Sequence, residues 1–442
     1  MAKMKDSGVA WIGEIPEGWE IVKFKNLFSF GRGLPITKAD LLERGLPVIN
    51  YGQIHSKQND GVNLTDNLIR FVSPLFLESD ASSLLNNGDF VFADTSEDVE
   101  GIGNAILVKH DKPIFAGYHT VICRPKFSGI SRYFAYLFTT DLWRDQLRQL
   151  ASGIKVFSIT QTILSKVLLL IPPKEIQQKI SSYLDCKCAQ IDAILVTIQQ
   201  SIEKLKEYRQ AVIRQAVTKG LNPDAKMKDS DVKWIGEIPE DWEKNRLRFL
   251  CRISTGGKDT KDKIPDGKFP FFVRSPEIER IDSYSYDGEA ILMAGDGVGA
   301  GKVFHYFNGK FDYHQRVYNL HQINRINGRF LFYYLQATFP IRIEVDNAKS
   351  TVDSVRLPML LDFPVVFGTK EEQNLILSFI DRKCAQIDSL ISEKQNLHDK
   401  LTAYKKSLIY EYVTGKREVS DGSFACLDCN CQKSGLEYTC GQ

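Results

Sequence analysis

The sequence predicts an α+β protein built as a pseudo-twofold repeat. Two mixed α/β domains are separated by two long helices that pair as an antiparallel coiled coil. Three observations carry this. The segment MKDSGVAWIGEIPEGWE at 4–20 returns as MKDSDVKWIGEIPEDWE at 227–243 with three differences. The pentapeptide CAQID at 188–192 returns at 384–388, each time opening a long helical pattern. The first pair is offset by 223 residues and the second by 196, so the intervening block is 27 residues shorter in the second copy. Near-identical ends around dissimilar middles describe one duplicated unit whose middles have been specialised separately.

The bulk numbers set outer limits. A chain of 442 residues has room for two to four domains, each with its own core. At 43% hydrophobic and 25% charged it has the balance of a soluble globular protein. No run approaches 18 apolar residues and no signal-peptide core opens the chain, which argues against membrane and secreted classes. Nine scattered cysteines, an odd number, point to a reducing cytoplasmic compartment. A lone nucleic-acid binder is usually more basic than a net charge of +2, so any DNA role must rest on local grooves or partner subunits.

Along the chain, the blocks 1–170 and 223–366 read as mixed α/β domains. Short apolar runs such as DFVFA at 89–93 and FPFFV at 269–273 alternate with Gly, Asn, Asp and Pro turns, as strands do. Each block carries one aromatic helical stretch, SRYFAYLF at 131–138 and GRFLFYYL at 328–335. In the duplicated segment, Trp11, Ile12, Ile15 and Trp19 supply apolar anchors and Pro16 a turn. The segment either locks the start of each domain or offers a docking surface to a partner.

The spacers are 171–222 and 367–418. Pro172 and Pro173 punctuate the start of the first, and Glu175 falls in its first turn, where the helix dipole favours an anion. Leu184, Cys188, Ile191, Leu195, Ile198, Ile202 and Leu205 then alternate steps of four and three, the 3.5-residue period of a coiled-coil seam. Such a rod, roughly 66 Å long at 1.5 Å per residue, needs a partner helix. The second spacer supplies one. Ile380, Cys384 and Ile387 keep its seam, and Lys394 and His398 interrupt it. Leu390, Leu397, Leu401, Tyr404 and Leu408 form an adjacent stripe, so the apolar face is expected to shift. The tail 419–442 reads as flexible.

No catalytic constellation emerges. GDGVGAGK at 295–302 resembles a phosphate-binding loop, but Asp296 and Val303 stand where Gly and Ser or Thr are required. It reads instead as a glycine-rich turn able to approach DNA closely, with Lys302 near a phosphate. Asn222-Pro223 and Pro265-Asp266 lack the flanking residues of methyltransferase and nuclease motifs. The histidines show no paired-ligand spacing. Cys426, Cys429, Cys431 and Cys440 are spaced too irregularly, too near the terminus, to favour zinc.

The order of variable block, long helix, variable block, long helix resembles the specificity subunit of type I restriction–modification systems. SGVAWIGEIPEGW at 7–19 and its repeat match that family's opening of each recognition domain. Glu372, Gln373 and Ile376 match the motif that opens its helices, and VTGK at 413–416 the motif that closes them. The first copy departs, with Ile176 where the Glu is expected, although Gln177 and Ile180 remain.

The resemblance implies a non-catalytic chain, with no cofactor of its own, that reads double-stranded DNA. It implies two modification subunits using S-adenosylmethionine, and restriction subunits using ATP and Mg2+. Each block would read one half of a bipartite target, with half-sites about one DNA turn, ~34–36 Å, apart. Candidate DNA contacts are Arg32, Lys38, Gln53, His55, Lys57 and Lys155 in the first block. In the second they are Lys258, Arg274, Ser275, Lys302, His314, Gln315, Arg316 and Lys349. These side-chain types suit base edges and phosphates, and they stand in polar, turn-rich contexts. Two alternatives stay open. A stand-alone DNA-modifying enzyme would act on DNA unaided, and a protein-only scaffold would protect no DNA sequence.

Overall fold

The computed structural model describes residues 3–9, 12–151, 156–347 and 354–419. Trp11 and the four tail cysteines lie outside them. The chain divides into two compact units, Met1–Val196 with His398–Gln442, and Thr197–Leu397.

In the first unit, Met4–Asp6 pairs antiparallel with Glu14–Pro16, and Trp19 and Ile15 are buried behind this opening hairpin. Strand Glu20–Lys23 then pairs with Leu168–Ile171, so the block leaves beside the point where it began. Between them lie two four-stranded sheets. One runs in the order Ala105–Leu107, Phe90–Ala93, Thr120–Pro125, Phe28–Arg32. The other runs Arg70–Val72, Leu46–Ile49, Ile114–Ala116, Leu84–Leu85. Helix Ser131–Phe138 covers the first sheet with its aromatic face; Phe134 and Phe138 lie among Phe24, Phe28, Phe90 and Phe92.

The second unit repeats this plan. Met227–Asp229 pairs with Glu237–Pro239, and Glu243–Arg246 pairs with Pro364–Phe367. One six-stranded sheet lies between, ordered Arg252–Thr255, Val317–His321, Tyr286–Ala294, Phe304–Tyr313, Phe269–Phe272, Ile278–Ile281. Gly328–Asn347 is the covering helix and continues through Pro340. The glycine-rich stretch closes the hairpin between the two longest strands, with Gly301 N–H donating to Ala294 O (2.9 Å). Gly301 has φ +60°, and its Cα faces the Phe339 and Ile343 side chains so closely that only glycine fits.

The long helices are Lys174–Lys219 and Lys370–Val413, 46 and 44 residues. Each unit holds the start of one and the end of the other, packed antiparallel. In the first unit the Tyr183 ring lies tilted against that of Tyr412 (4.6 Å between centroids) and Lys405 Nζ donates to both oxygens of Asp192 (2.6 and 2.7 Å). In the second, Arg209 lies 3.2 Å from Asp388. Glycines at φ +72° and +71°, Gly220 and Gly415, follow the two helix ends as left-handed caps. Each cap packs on an opening segment: Gly415 on Pro16 and Trp19, Gly220 on Trp242.

Leu184, Cys188, Ile191, Ile198, Ile202, Ile380, Cys384, Ile387 and Leu408 are buried, whereas Leu195, Leu205 and Leu401 are half-buried. The expected shift of the distal helix's face does not occur. Leu390, Leu397 and Tyr404 are 46%, 48% and 52% exposed, and the 3.5-residue period continues through half-buried Lys394, His398 and Lys405. Long polar side chains can keep a seam by burying their stems, and Asp192 takes the Lys405 charge. No described helix is long and apolar enough to cross a membrane.

Candidate nucleic-acid interface

In the second unit four turns gather at one end of the sheet. They follow Arg252–Thr255, Phe269–Phe272 and Tyr286–Ala294, and precede Val317–His321. Backbone bonds tie them together: His314 N–H to Phe272 O (2.9 Å), Gln315 N–H to Lys258 O (2.8 Å) and Gly295 N–H to Arg316 O (2.8 Å). Val355 N–H closes the cluster on Gly295 O (2.8 Å). A Cβ on Gly256 would lie 1.9 Å from Tyr313 O, so the crossing requires glycine.

The first unit carries three of these four ties. Gly117 N–H donates to Ile49 O (2.8 Å), Asp94 N–H to His119 O (3.1 Å) and Ile159 N–H to Asp94 O (2.7 Å). Gly33 repeats the crossing, a Cβ there falling 1.9 Å from Gly117 O. The side chains displayed on this common frame differ. In the first unit Tyr51 meets the rings of Tyr118 (5.6 Å), His119 (5.4 Å) and His55 (6.2 Å), and His119 Nδ1 lies 3.3 Å from Asp94 Oδ1.

In the second unit the display is of cations and carboxylates. Arg274 Nη1 donates to Asp296 Oδ1 (3.1 Å), and Arg316 Nε lies 3.6 Å from Asp296 Oδ2. Gln315 donates to Asp259 (3.0 Å). His314 is 2% exposed, and its Nδ1 accepts the Arg316 N–H (2.9 Å). Burial, with the Arg274 guanidinium adding to it, lowers the pKa of this imidazole and favours its neutral form.

The structure thus brings Lys258, Arg274, His314, Gln315 and Arg316 together, with Ser275 beside Arg274, where its hydroxyl donates to Glu277 O. Exposed Lys302 is in the adjacent turn. The first-block candidates are less concentrated. Arg32 is exposed at the strand end next to Gly33, and Lys38 is exposed in the turn Lys38–Asp40. Gln53 caps its own helix by accepting from Asn50 N–H (3.3 Å). His55 has both ring nitrogens engaged, Nε2 with Thr95 O (2.7 Å) and Nδ1 with Asn104 (3.2 Å), so its ring is a strut. Lys57 borders a groove of about 1970 Å3 that Arg132 and Lys405 also line. Lys155 and Lys349 lie outside the described residues.

Sequence reasoning passed over Tyr51, Tyr118, His119 and the carboxylates Asp94, Asp259 and Asp296. Only Asp296 gave a signal, as the misfit in a phosphate-loop pattern. Among the described residues, no group of three or more His, Cys, Asp or Glu is placed to hold a metal ion.

A second repeated constellation fastens each domain to a long helix. Asp185 accepts from Arg132 Nε (2.8 Å) and Tyr136 Oη (2.6 Å), and 196 residues on Asp381 accepts from Arg329 (2.8 Å) and Tyr333 (3.5 Å). Arg132 also donates to Val62 O (2.7 Å) and to Asn63 (3.0 Å).

The family model for the type I restriction modification DNA specificity domain matches this chain twice, at 16–204 and 239–398. The chain belongs to this family. It is a DNA-specificity subunit with two repeated specificity domains, a recognition component and not the catalyst. The EcoDI specificity subunit of Escherichia coli is 28% identical over 181 residues, 41% of this chain and 40% of that one. The MjaX specificity subunit of Methanocaldococcus jannaschii, itself described as putative, is 24% identical, covering 92% of this chain and 96% of that one. A chain solved in work on complex assembly and conformational transition of the type I R-M system superposes with a TM-score of 0.66 at 16% identity. It covers 91% of this chain and 99% of its own. That last likeness is one of fold.

Proposed function

We propose that each recognition domain of this specificity subunit reads one half of a bipartite, asymmetric DNA target through its loop cluster. The two long helices set the distance between the halves. The observation that supports this most is the shared frame with unlike side chains. The same backbone bonds present tyrosines and histidines in one domain and arginines in the other. Base edges in the major groove distinguish all four base pairs, so two such displays can read two unlike sequences.

The domains in this reading are 1–170 and 223–366, the spacers 171–222 and 367–418, and the tail 419–442. Arg274, Gln315 and Arg316 are the leading contacts in the second domain, backed by Lys258, Ser275, Lys302 and Lys349. In the first, Arg32, Lys38, Lys57 and Lys155 are joined by Tyr51 and His119. The partners are two modification subunits that bind S-adenosylmethionine, and restriction subunits that use ATP and Mg2+. The assembly works in the cytoplasm on the cell's own DNA.

Replacing 244–366 by the corresponding block of a relative tests the reading. The methylated motif recovered from cells changes in one half and keeps the other; if both halves change together, the two-reader model fails. Four residues inserted after Gln200, with four at the facing Leu397, lengthen the rod by about 6 Å. The half-sites survive and the spacer between them grows by one or two base pairs. An unchanged spacer length shows that other elements set the distance.

A further inference from the structure

We propose that Asp296 is a specificity-determining carboxylate. It holds the DNA-facing arginines of the second domain in reserve, so that non-specific phosphate is a poor substitute for the correct base edges. The proposal rests on the reading of the loop clusters as the DNA interface. It assigns a role to a residue that does not itself reach the nucleic acid.

Three observations support it. Asp296 is placed between two arginines, 3.1 Å from Arg274 and 3.6 Å from Arg316. Its side chain is 27% exposed whereas theirs are 45% and 66% exposed, so the acid is set back and the cations face outward. Its backbone is fixed by the pairing of Asp296 with Ser354 and by Gly295, which bonds to both Arg316 and Val355. A carboxylate anchored in this way cannot follow the arginines onto DNA. On the equivalent loops of the first domain an acid also lies beside a basic side chain, Asp94 3.3 Å from His119, although Asp94 takes the place of Gly295 and has one such neighbour instead of two.

The consequence is electrostatic. Every phosphate that recruits Arg274 or Arg316 must compete with Asp296, and DNA of any sequence also meets the repulsion of that fixed charge. At the target the pairing is not given up: a guanidinium has five N–H donors, so it keeps Asp296 on one edge while two donors meet guanine O6 and N7, and the orientation the acid supplies there offsets its repulsion. A cost met where the pair must break to reach phosphate, and absent where the pair is kept, widens the gap between target and competitor, which is how unfavourable elements create specificity. Neutralising Asp296 frees two cations for phosphate. Each additional phosphate neutralised steepens the slope of log K against log salt by about 0.9.

The test uses the chain assembled with its modification subunits, on duplexes carrying the methylated motif or a scrambled one, at several salt concentrations. In Asp296→Asn, binding to the scrambled duplex tightens by about fivefold and its salt slope steepens by about 0.9 to 1.8. Binding to the target changes by less than about twofold, so the specificity ratio falls. Asp94→Asn shifts the scrambled duplex in the same direction by a smaller factor. Unchanged affinity and slope on the scrambled duplex overturn the proposal. So does a loss confined to the target, which would make Asp296 a direct reader of cytosine. The double variant Arg274→Ala/Arg316→Ala separates the layers. If it leaves both duplexes bound as before, the interface itself is wrong. If it weakens binding while Asp296→Asn strengthens nothing, only the carboxylate's role is wrong.

Discussion

The two recognition domains build the same hairpin in different ways. In the second domain Tyr286–Ala294 and Phe304–Tyr313 pair without interruption from Tyr286↔Phe311 to Met293↔Phe304. In the first, the ladder is broken into Leu84–Leu85 with Ile114–Ala116 and Phe90–Ala93 with Ala105–Leu107. The break is held by Asp89, buried at 3% exposure, whose carboxylate accepts the Asn86 N–H (2.9 Å) and lies 3.3 Å from Arg124. Arg124 in turn donates to Ser82 and Leu84 carbonyls. Three of the four loop ties at the sheet end nevertheless recur in both. The frame is therefore indifferent to strand continuity, provided that the crossings at Gly33 and Gly256 and the bonds around them survive. Divergence of the display is uncoupled from preservation of the frame.

The sharpest way to break this comparison is to block one crossing. Gly256→Val puts side-chain carbon against the Tyr313 and His314 carbonyls and costs about 3 kcal/mol of local stability. It abolishes recognition of one half-site, and Gly33→Val abolishes the other, as read from residual methylation on hybrid targets. A variant at either glycine that lost both halves would show the clusters to be interdependent.

The clamps should differ in strength. Arg132 makes four hydrogen bonds or ion pairs, and burial works against its charge while Asp185 outweighs that penalty. Asp185→Ala should cost about 2–3 kcal/mol, because a part-buried guanidinium loses its anion. Asp381→Ala leaves a more exposed arginine and should cost only about 1 kcal/mol. Urea titration of each variant compares them, and equal losses would contradict the assigned asymmetry.

A smaller difference lies at the opening segments. Trp242 Nε1–H donates to Glu372 Oε2 (2.9 Å), whereas the matching position beside Trp19 is Ile176, which offers no acceptor. Trp242→Phe should therefore destabilise by about 1–2 kcal/mol more than Trp19→Phe. Thermal melts of the two variants decide it.

The smallest effect is one of pH. His305, His314 and His321, all in the second domain, have pKa values lowered chiefly by burial. With folded values below the unfolded 6.5, the unfolded chain binds more protons as pH falls, so stability is lost on acidification below about 6.5. His314→Gln should flatten that loss. A melt independent of pH between 7 and 5 would contradict the burial that depresses these groups.

What the sequence disclosed follows from range. The aromatic helix read at 131–138 is Ser131–Phe138, and the strand read at 269–273 is Phe269–Phe272, because each is specified by local periodicity and flanking turns. The long helices were legible from Pro173 and the seam spacing. The hairpins Met4–Asp6/Glu14–Pro16 and Met227–Asp229/Glu237–Pro239 were not, since their outer strands are short, mostly charged and exposed. The distal face was misjudged because residue type alone ranked Leu397 above His398 for the seam; packing of Lys405 onto Asp192 decided otherwise. Cationic candidates could be chosen by type. Their acidic partners could not, because Arg274 and Asp296 meet only through the sheet, 22 residues apart, with no spacing rule to announce them.

The junction strands have a consequence for how such a chain can change. Glu20–Lys23 with Leu168–Ile171, and Glu243–Arg246 with Pro364–Phe367, close each block through main-chain hydrogen bonds. Those bonds ask for extended backbone and are nearly blind to side-chain identity. A block arriving by recombination is seated when it begins and ends with a short strand in the same register and presents the Arg–Tyr pair that meets Asp185 or Asp381. Its neighbours, the opening hairpin and the helix caps, need no compensating substitution. The duplicated flanks at 4–20 and 227–243 also give two stretches of near-identical sequence within one gene, at which strand exchange can begin. The two-strand ladder is thus a socket into which a whole new block can be set in a single genetic event.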